Sequence, residues 1–400
     1  NGITGIFSSR ALVVDDSISG NRYAIGVFGQ LSLDGASTSA GNVYIGNIIE
    51  DNTYNDVLVA EEATFGLLGG SFPPGYSGVV AVRGGLQVPT GTTLTIDPGT
   101  VIKFANEYSG GAAGSLGRFK VDGVLKSEGT LTEKIVFTSW KDDSYGGDSN
   151  ADSNATVPGP GNWDVIYLAG ASNNASHILH TIVRYGGYAG SGNIRLDLNT
   201  APIDSSFVSY SSNYGIYTVS ASPSIFANEI HHNNYGLYIT GTSNPVINYN
   251  NISENTTYGM YQGTSNTINA TNNFWGHESG PFVNQGSPFN LSGQGNRIYI
   301  ASGAVNYMPY LTTRSGILLG DVSENGSISA FDGALVLRAV VLLDTLSASQ
   351  QIAADVSGDG NVTAFDASYI LRYVVGLITG FPGLGKSSGN GVLATAYEFS

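Results

Sequence analysis

Two twelve-residue segments near the C-terminus place oxygen-bearing side chains at the spacing that a hard cation needs. They read DVSENGSISAFD, Asp321 to Asp332, and DVSGDGNVTAFD, Asp355 to Asp366. In the first, Asp321, Ser323, Asn325, Ser329 and Asp332 hold positions 1, 3, 5, 9 and 12, and Ser327 at position 7 offers its backbone carbonyl. In the second, those positions hold Asp355, Ser357, Asp359, Thr363 and Asp366, with the carbonyl from Asn361. Ser329 and Thr363 serve directly or through water. Gly326 and Gly360 stand at position 6, where the loop must turn sharply. A ring of oxygen donors in a bent loop suits Ca2+. The second segment carries three carboxylates against two in the first, so on charge alone it should bind Ca2+ more tightly.

Each segment runs into an apolar helical pattern, from Ala334 in one case and Ser368 in the other. The last ligand starts the helix, where aligned backbone dipoles favour its negative charge. The buried faces of two such helices can pack into a small core stabilised by metal, so the module without Ca2+ is expected to be largely unfolded. Two loop-helix units of this kind imply docking and do not by themselves imply catalysis.

Other candidate groups lie upstream. The stretch Lys141 to Pro160 contains Asp142, Asp143, Asp148 and Asp152 around Gly146-Gly147. It reads either as an additional Ca2+ loop or as a solvated acidic turn, with Trp140 and Trp163 pinning its ends by apolar burial. Arg118 and Lys120, two apart, share one strand face. Asp164, Asp197 and Asp204 would meet if consecutive coils aligned. His231 and His232 are adjacent, and adjacent strand side chains point oppositely, so they do not read as a metal clamp. No catalytic set emerges, and the catalytic residues stay unknown.

Composition narrows the classes. Only 12% of the 400 residues are charged, yet 31 acidic residues outweigh 16 basic ones for a net charge of −15. Such a surface repels nucleic acid and tolerates Ca2+ and basic partners. There is no cysteine, so disulfides and thiolate chemistry are excluded. No apolar run is long enough for a transmembrane span. The opening at Asn1 inside a repeat pattern, and the Gly- and Ser-containing tail, lead us to expect a removed leader or a segment of a longer polypeptide.

The elements that carry these groups repeat. Tyr214-Gly215-Ile216-Tyr217 recurs at Tyr235-Gly236-Leu237-Tyr238 and at Tyr258-Gly259-Met260-Tyr261. A second register runs Asn228, Asn250, Asn272, with Ile230, Ile252 and Phe274 two residues behind. A period of this length with short β-type runs and no helical stripe predicts a solenoid, and its physical form is a parallel β-helix. Asn228, Asn250 and Asn272 are expected to stack as an amide ladder. Ile25 and Val27, Val43 and Ile45, and Val57 and Val59 are expected strand cores in earlier coils. Asp122-Gly123 and Pro98-Gly99 mark turns.

Residues 1–310 resemble the secreted right-handed β-helix repeat family, which includes pectate-lyase-like proteins. The segments TTLTIDPGTVIKF, FKVDGVLKSEGTLTEKIVFTS and GPGNW carry the likeness, together with the Tyr214 to Trp275 repeats. Residues 316–380 closely resemble a type I-like dockerin, since position 12 is Asp in both loops and one helix follows each loop. Residues 381–400 form a tail or the start of a further segment. The dockerin likeness implies Ca2+ binding and a cohesin-like partner, chosen through Ala330, Phe331 and Arg338 and their counterparts Ala364, Phe365 and Arg372. The familiar Ser-Thr recognition pair is absent from these positions. The expected fold is an all-β right-handed parallel β-helix followed by a small α-helical domain with duplicated Ca2+ loops. The expected protein is secreted or cell-surface and non-enzymatic. It assembles through its dockerin-like module with a cohesin-like protein or another subunit, and its rod binds glycan. A dockerin-bearing carbohydrate-active enzyme, chiefly a polysaccharide lyase, is the alternative.

Overall fold

The computed structural model describes residues 79–382 except 83, 106–116, 131–132, 151, 154, 313, 315–318, 324–327, 347, 359–360 and 379–380, and before residue 79 it describes strand backbones alone. The chain divides into two compact units, Asn1–Arg314 and Ser315–Ser400.

The first unit is built from strands too short to stand alone, and each is stabilised by the coil that follows. Strands Ile203–Asp204, Phe207–Ser209 and Tyr214–Val219 form one coil. They pair in parallel with Ser224–Phe226, Glu229–His231 and Tyr235–Thr240 of the next. Val246–Asn248, Asn251–Ser253 and Tyr258–Gln262 follow in turn. Three parallel ladders result, one on each face of the coil.

Alternation drives one side chain in and the next out. Ile203, Ile225 and Ile247 stand in register on one ladder. Val183, Val208, Ile230 and Ile252 do so on the second. Ile194, Ile216, Leu237, Met260 and Ile298 do so on the third. All three columns are buried in one continuous core. Each fully buried aliphatic side chain contributes about 2 kcal/mol. In the earlier coils the backbone pairs Ile25 with Val57 and Val27 with Val59, and Val43 and Ile45 lie in a further strand.

Amide ladders line the corners. Asn228 Nδ2 donates to Asn250 Oδ1 at 2.9 Å, and Asn250 Nδ2 to Asn273 Oδ1 at 2.9 Å. The expected third rung, Asn272, instead occupies a left-handed corner at φ 57°. One extra residue in this coil moves the rung to Asn273, and the same shift buries Trp275 where Phe274 was expected. A second ladder, Asn233 to Asn255 to Asn296, was not anticipated. At Gly123 a Cβ would lie 2.3 Å from the Thr92 carbonyl oxygen, so the turn there requires glycine for space. Trp140 and Trp163 are both buried, and Trp163 stacks on Phe104 with centroids 4.9 Å apart.

The second unit contains helices α1 (Ala330–Val340), α2 (Ala348–Ala354) and α3 (Ala364–Val374). Val322, Val336, Val356, Ile370, Leu319 and Phe381 share its core. The pairs Val322/Val356 and Val336/Ile370 hold equivalent places in the two repeats. Gly333 lets α1 approach α3 closely, since a Cβ there would meet the Leu371 side chain at 3.1 Å. The tail beyond residue 382 lies outside the described residues.

Candidate metal and docking sites

Among the described residues, the two loops of the second unit share the same bonds around their closing aspartates. Asp332 Oδ1 accepts from the Ser323 amide at 2.8 Å, and its Oδ2 from the Ser329 amide and hydroxyl at 2.8 Å. Asp366 Oδ1 accepts from the Ser357 amide at 2.9 Å, and its Oδ2 from the Thr363 amide and hydroxyl at 2.9 Å. Ser323 donates its hydroxyl to Asp321, as Ser357 does to Asp355. Ser329 and Thr363 are also the N-caps of α1 and α3, in reciprocal capping boxes with Asp332 and Asp366. One carboxylate thus closes the loop and starts the helix.

Asp321, Asp332, Asp355 and Asp366 are all buried. Burial alone would raise the Asp332 carboxyl, but donors from Ser323 and Ser329 outweigh it and hold the group below its usual range. A buried set of carboxylates with hydroxyl oxygens beside them fits a hard divalent cation. Asn361, within the second loop, is exposed. Asn325, Ser327 and Asp359, with Gly326 and Gly360, lie outside the described residues.

Ala330, Phe331, Ala364 and Phe365 begin the two helices on exposed positions, with Phe331 59% and Phe365 57% accessible. Phe365 packs edge-on against Tyr369 at 4.7 Å, yet most of its surface stays open. Arg338 pairs with Asp344, whereas Arg372 lies 5.7 Å from the Tyr369 ring centre. Leu337, Val341, Leu342, Leu371, Val375 and Leu377 extend the exposed apolar surface of the same helices and the turns after them.

In the β-helix the acidic insertion divides. Asp142 is held by Arg184 through two 2.8 Å bonds. Burial would raise its carboxyl, but Arg184 and the Ser144 and Thr138 hydroxyls outweigh that and lower it. Asp143, Asp148 and Asp152 converge, with one oxygen from each within 4.8 Å of the others. Much of that convergence is explained by the loop itself. Asp148 accepts from the Asp152 and Ser153 amides, and Asp152 from the Ala155 and Thr156 amides.

The other charged candidates go to separate partners. Asp164 bonds Arg118 at 2.8 Å, Asp197 bonds Arg195 and Tyr167, and Asp204 bonds His177 at 2.9 Å. Lys120 pairs with Asp122. The three aspartates therefore do not form a shared carboxylate pair.

Sequence reasoning passed over an aromatic ridge. Tyr217, Tyr238, Tyr261 and Tyr299 stand in register on consecutive coils. Tyr238 and Tyr261 stack at 4.5 Å, and Tyr261 and Tyr299 at 5.5 Å. The row continues through Arg195, which lies 5.0 Å from the Tyr167 ring and 5.1 Å from Tyr217. A parallel row holds Tyr214, Tyr235 and Tyr258. The Tyr-Gly repeat was the signal. Gly215 and Gly236 have room only for hydrogen, since a Cβ at either would lie 2.6 Å from the carbonyl oxygen of the next glycine.

His180 is fully buried at a corner. Burial, reinforced by the Lys134 charge, pulls its imidazole down to about 4. The folded form therefore resists a proton that the unfolded chain accepts below about 6.5. Stability present above that pH should be lost as pH falls toward 4, by about 3 kcal/mol in all. His180 sits at φ 43°, which Asn tolerates, so His180→Asn should flatten this acid limb in urea titrations run across the range. An unchanged limb would refute the assignment.

Family models agree with this architecture. Residues 164–313 match the right handed beta helix region, and residues 319–375 match the dockerin type I domain. The fold is accordingly a right-handed parallel β-helix followed by a small helical dockerin domain. The combination supports a cell-surface assembly protein or a carbohydrate-active protein, and dockerin type I domains are calcium-binding modules that imply a cohesin-type partner. Comparisons with curated proteins and with solved structures returned no match. Among the described residues no helix is long and apolar enough to cross a membrane.

Proposed function

We propose that the chain is an extracellular or cell-surface assembly protein whose dockerin unit docks on a cohesin-like partner, or on another subunit of the same assembly, when its loops hold Ca2+. The ligands are Asp321, Ser323, Asn325, Ser327, Ser329 and Asp332 in one loop and Asp355, Ser357, Asp359, Asn361, Thr363 and Asp366 in the other. Ala330, Phe331 and Arg338, with Ala364, Phe365 and Arg372, supply the docking faces. The observation that carries this reading is the duplicated bonding around the two closing aspartates, in which each Asp completes the capping box of a helix that presents an exposed Phe. The near-equivalence of α1 and α3 permits two docking orientations. The test is capture of the full chain by a panel of immobilised cohesins, in millimolar Ca2+ and after chelation. Equal capture in both conditions, or none in either, refutes it.

The tyrosine ridge favours a second role for the rod, in glycan binding. Consecutive rings cover one another, so the ridge offers phenol hydroxyls and ring edges to a polysaccharide chain. Tyr238→Ala, at the centre of the row, should weaken retention on an immobilised glycan array without altering Ca2+-dependent capture. Unchanged retention would remove the ridge from that role. A lyase reading gains less support, because Arg118, Lys120, Arg184 and Arg195 are each engaged by a carboxylate. A lyase base must instead be free to take a proton.

A further inference from the structure

His231 and His232 contradict the expectation drawn from strand alternation. Strand Glu229–His231 ends between them, and His232 turns to φ 55°. That left-handed corner brings the two imidazoles together, with Nδ1 to Nδ1 at 2.8 Å. Glu254 holds the same corner one coil later, also at positive φ, 54°. Its Oε2 lies 3.2 Å from His232 Nε2. One ligand atom from each of the three residues lies within 4.8 Å of the others. The rest of the corner column is aromatic. Tyr185 stacks on Tyr210, and Tyr210 stacks on His232 at 4.9 Å and meets His231 edge-on at 6.0 Å. Left-handed backbone at His and Glu is uncommon, and here, at His232 and Glu254, it gathers their side chains with that of His231 so that one ligand atom of each lies within reach of the others.

We propose that His231, His232 and Glu254 form a binding site for a divalent transition ion of the Zn2+ class, clipping two consecutive coils together. The donor set decides the class of ion. Two imidazoles and one carboxylate suit Zn2+, Cu2+ or Ni2+, whereas Ca2+ takes oxygen ligands. The spacing suits it as well. Imidazole nitrogens sit about 2.0–2.1 Å from Zn2+, which places two neighbouring ligand nitrogens roughly 3 Å apart. His232 and Glu254 are exposed and His231 is half-buried, so an ion has open access and coordination positions left for water. This site is separate from the Ca2+ loops in both chemistry and position in the chain.

The test uses the full chain with its loops saturated in millimolar Ca2+, titrated with Zn2+ alone by calorimetry, and with Co2+ to read ligand-field absorption. One Zn2+ should bind, with a rise in the melting temperature of the β-helix. His232→Ala and His231→Ala should each weaken that binding at least about tenfold, by analogy with losses on altering metal-site partners. Glu254→Gln should weaken it and change the Co2+ spectrum. His177→Ala, on another ladder, should leave uptake unchanged. The proposal is overturned if the wild-type chain takes up no Zn2+ at micromolar concentration. It is equally overturned if His232→Ala binds Zn2+ as the wild type does, or if His177→Ala abolishes uptake.

Discussion

Replacing Asp332 and Asp366 together by Ala is expected to abolish Ca2+-dependent capture by a cohesin. Each carboxylate does two things at once. It accepts amide and hydroxyl bonds that fold its loop, and it completes the capping box that starts α1 or α3. Loss of a cap alone costs about 1 kcal/mol. Loss of the ion costs more, because in a small module the free energy of metal binding is folding free energy. At a Ca2+ concentration about 100 times Kd, linkage supplies about 2.7 kcal/mol, so the module without it loses about 100-fold in its ratio of folded to unfolded. The single variants should rank, with Asp366→Ala the worse, because its loop holds three carboxylates against two. Asp344→Ala, which removes only the surface partner of Arg338, should leave the Ca2+ response unchanged. The measurement is capture against Ca2+ concentration, paired with far-ultraviolet circular dichroism. Wild-type capture by the double variant would refute the calcium assignment.

The dockerin unit was the more legible part of the sequence because its chemistry is local. Twelve contiguous residues specify a loop, and the Asp at its end specifies the start of the helix, so residue type and spacing carry nearly all the information. The β-helix was legible as a class, since short alternating runs at a coil-length period admit few other folds. Its register was less so. One added residue between Asn250 and Asn273 moved the amide rung from Asn272 and replaced Phe274 with Trp275 in the core. A fixed period cannot anticipate where such a residue bulges into a corner. The tyrosine ridge was present in the repeat, but stacking the rings into a row takes the register between neighbouring coils, which the repeat alone does not state. The histidine pair failed for a related reason. Alternation holds within a strand, and His232 has already left it.

Asn250→Ala is expected to cost the β-helix about 4 kcal/mol, more than any single truncation of an exposed tyrosine, because buried polar groups left without partners cost about 1–3 kcal/mol each. Asn250 is fully buried at the middle of its ladder. Its Oδ1 accepts from both the Asn228 amide and Asn228 Nδ2 at 2.9 Å. Its Nδ2 donates to the Ile225 carbonyl at 2.8 Å, to the Asn248 carbonyl at 3.0 Å and to Asn273 Oδ1 at 2.9 Å. Truncation strands the Asn228 amide, and takes an acceptor from Asn228 Nδ2 and a donor from the Ile225 carbonyl, in a site that the chain has closed to solvent. Asn250→Asp keeps the acceptor for Asn228 but turns an oxygen toward the three oxygens that Nδ2 had served, so it should be nearly as damaging at neutral pH. It should recover in part as acid protonates the new carboxyl and restores a donor. Solenoid coils are stabilised by their neighbours, so the damage should spread from this rung to the adjacent coils before reaching the rest of the rod. Hydrogen exchange should therefore quicken first at Asn228 and Asn251, whose amides bond across this corner. Denaturant unfolding supplies the magnitude. A loss below about 1 kcal/mol, the net worth of one ordinary hydrogen bond, would mean that the ladder is ornament to a coil held by its aliphatic columns alone.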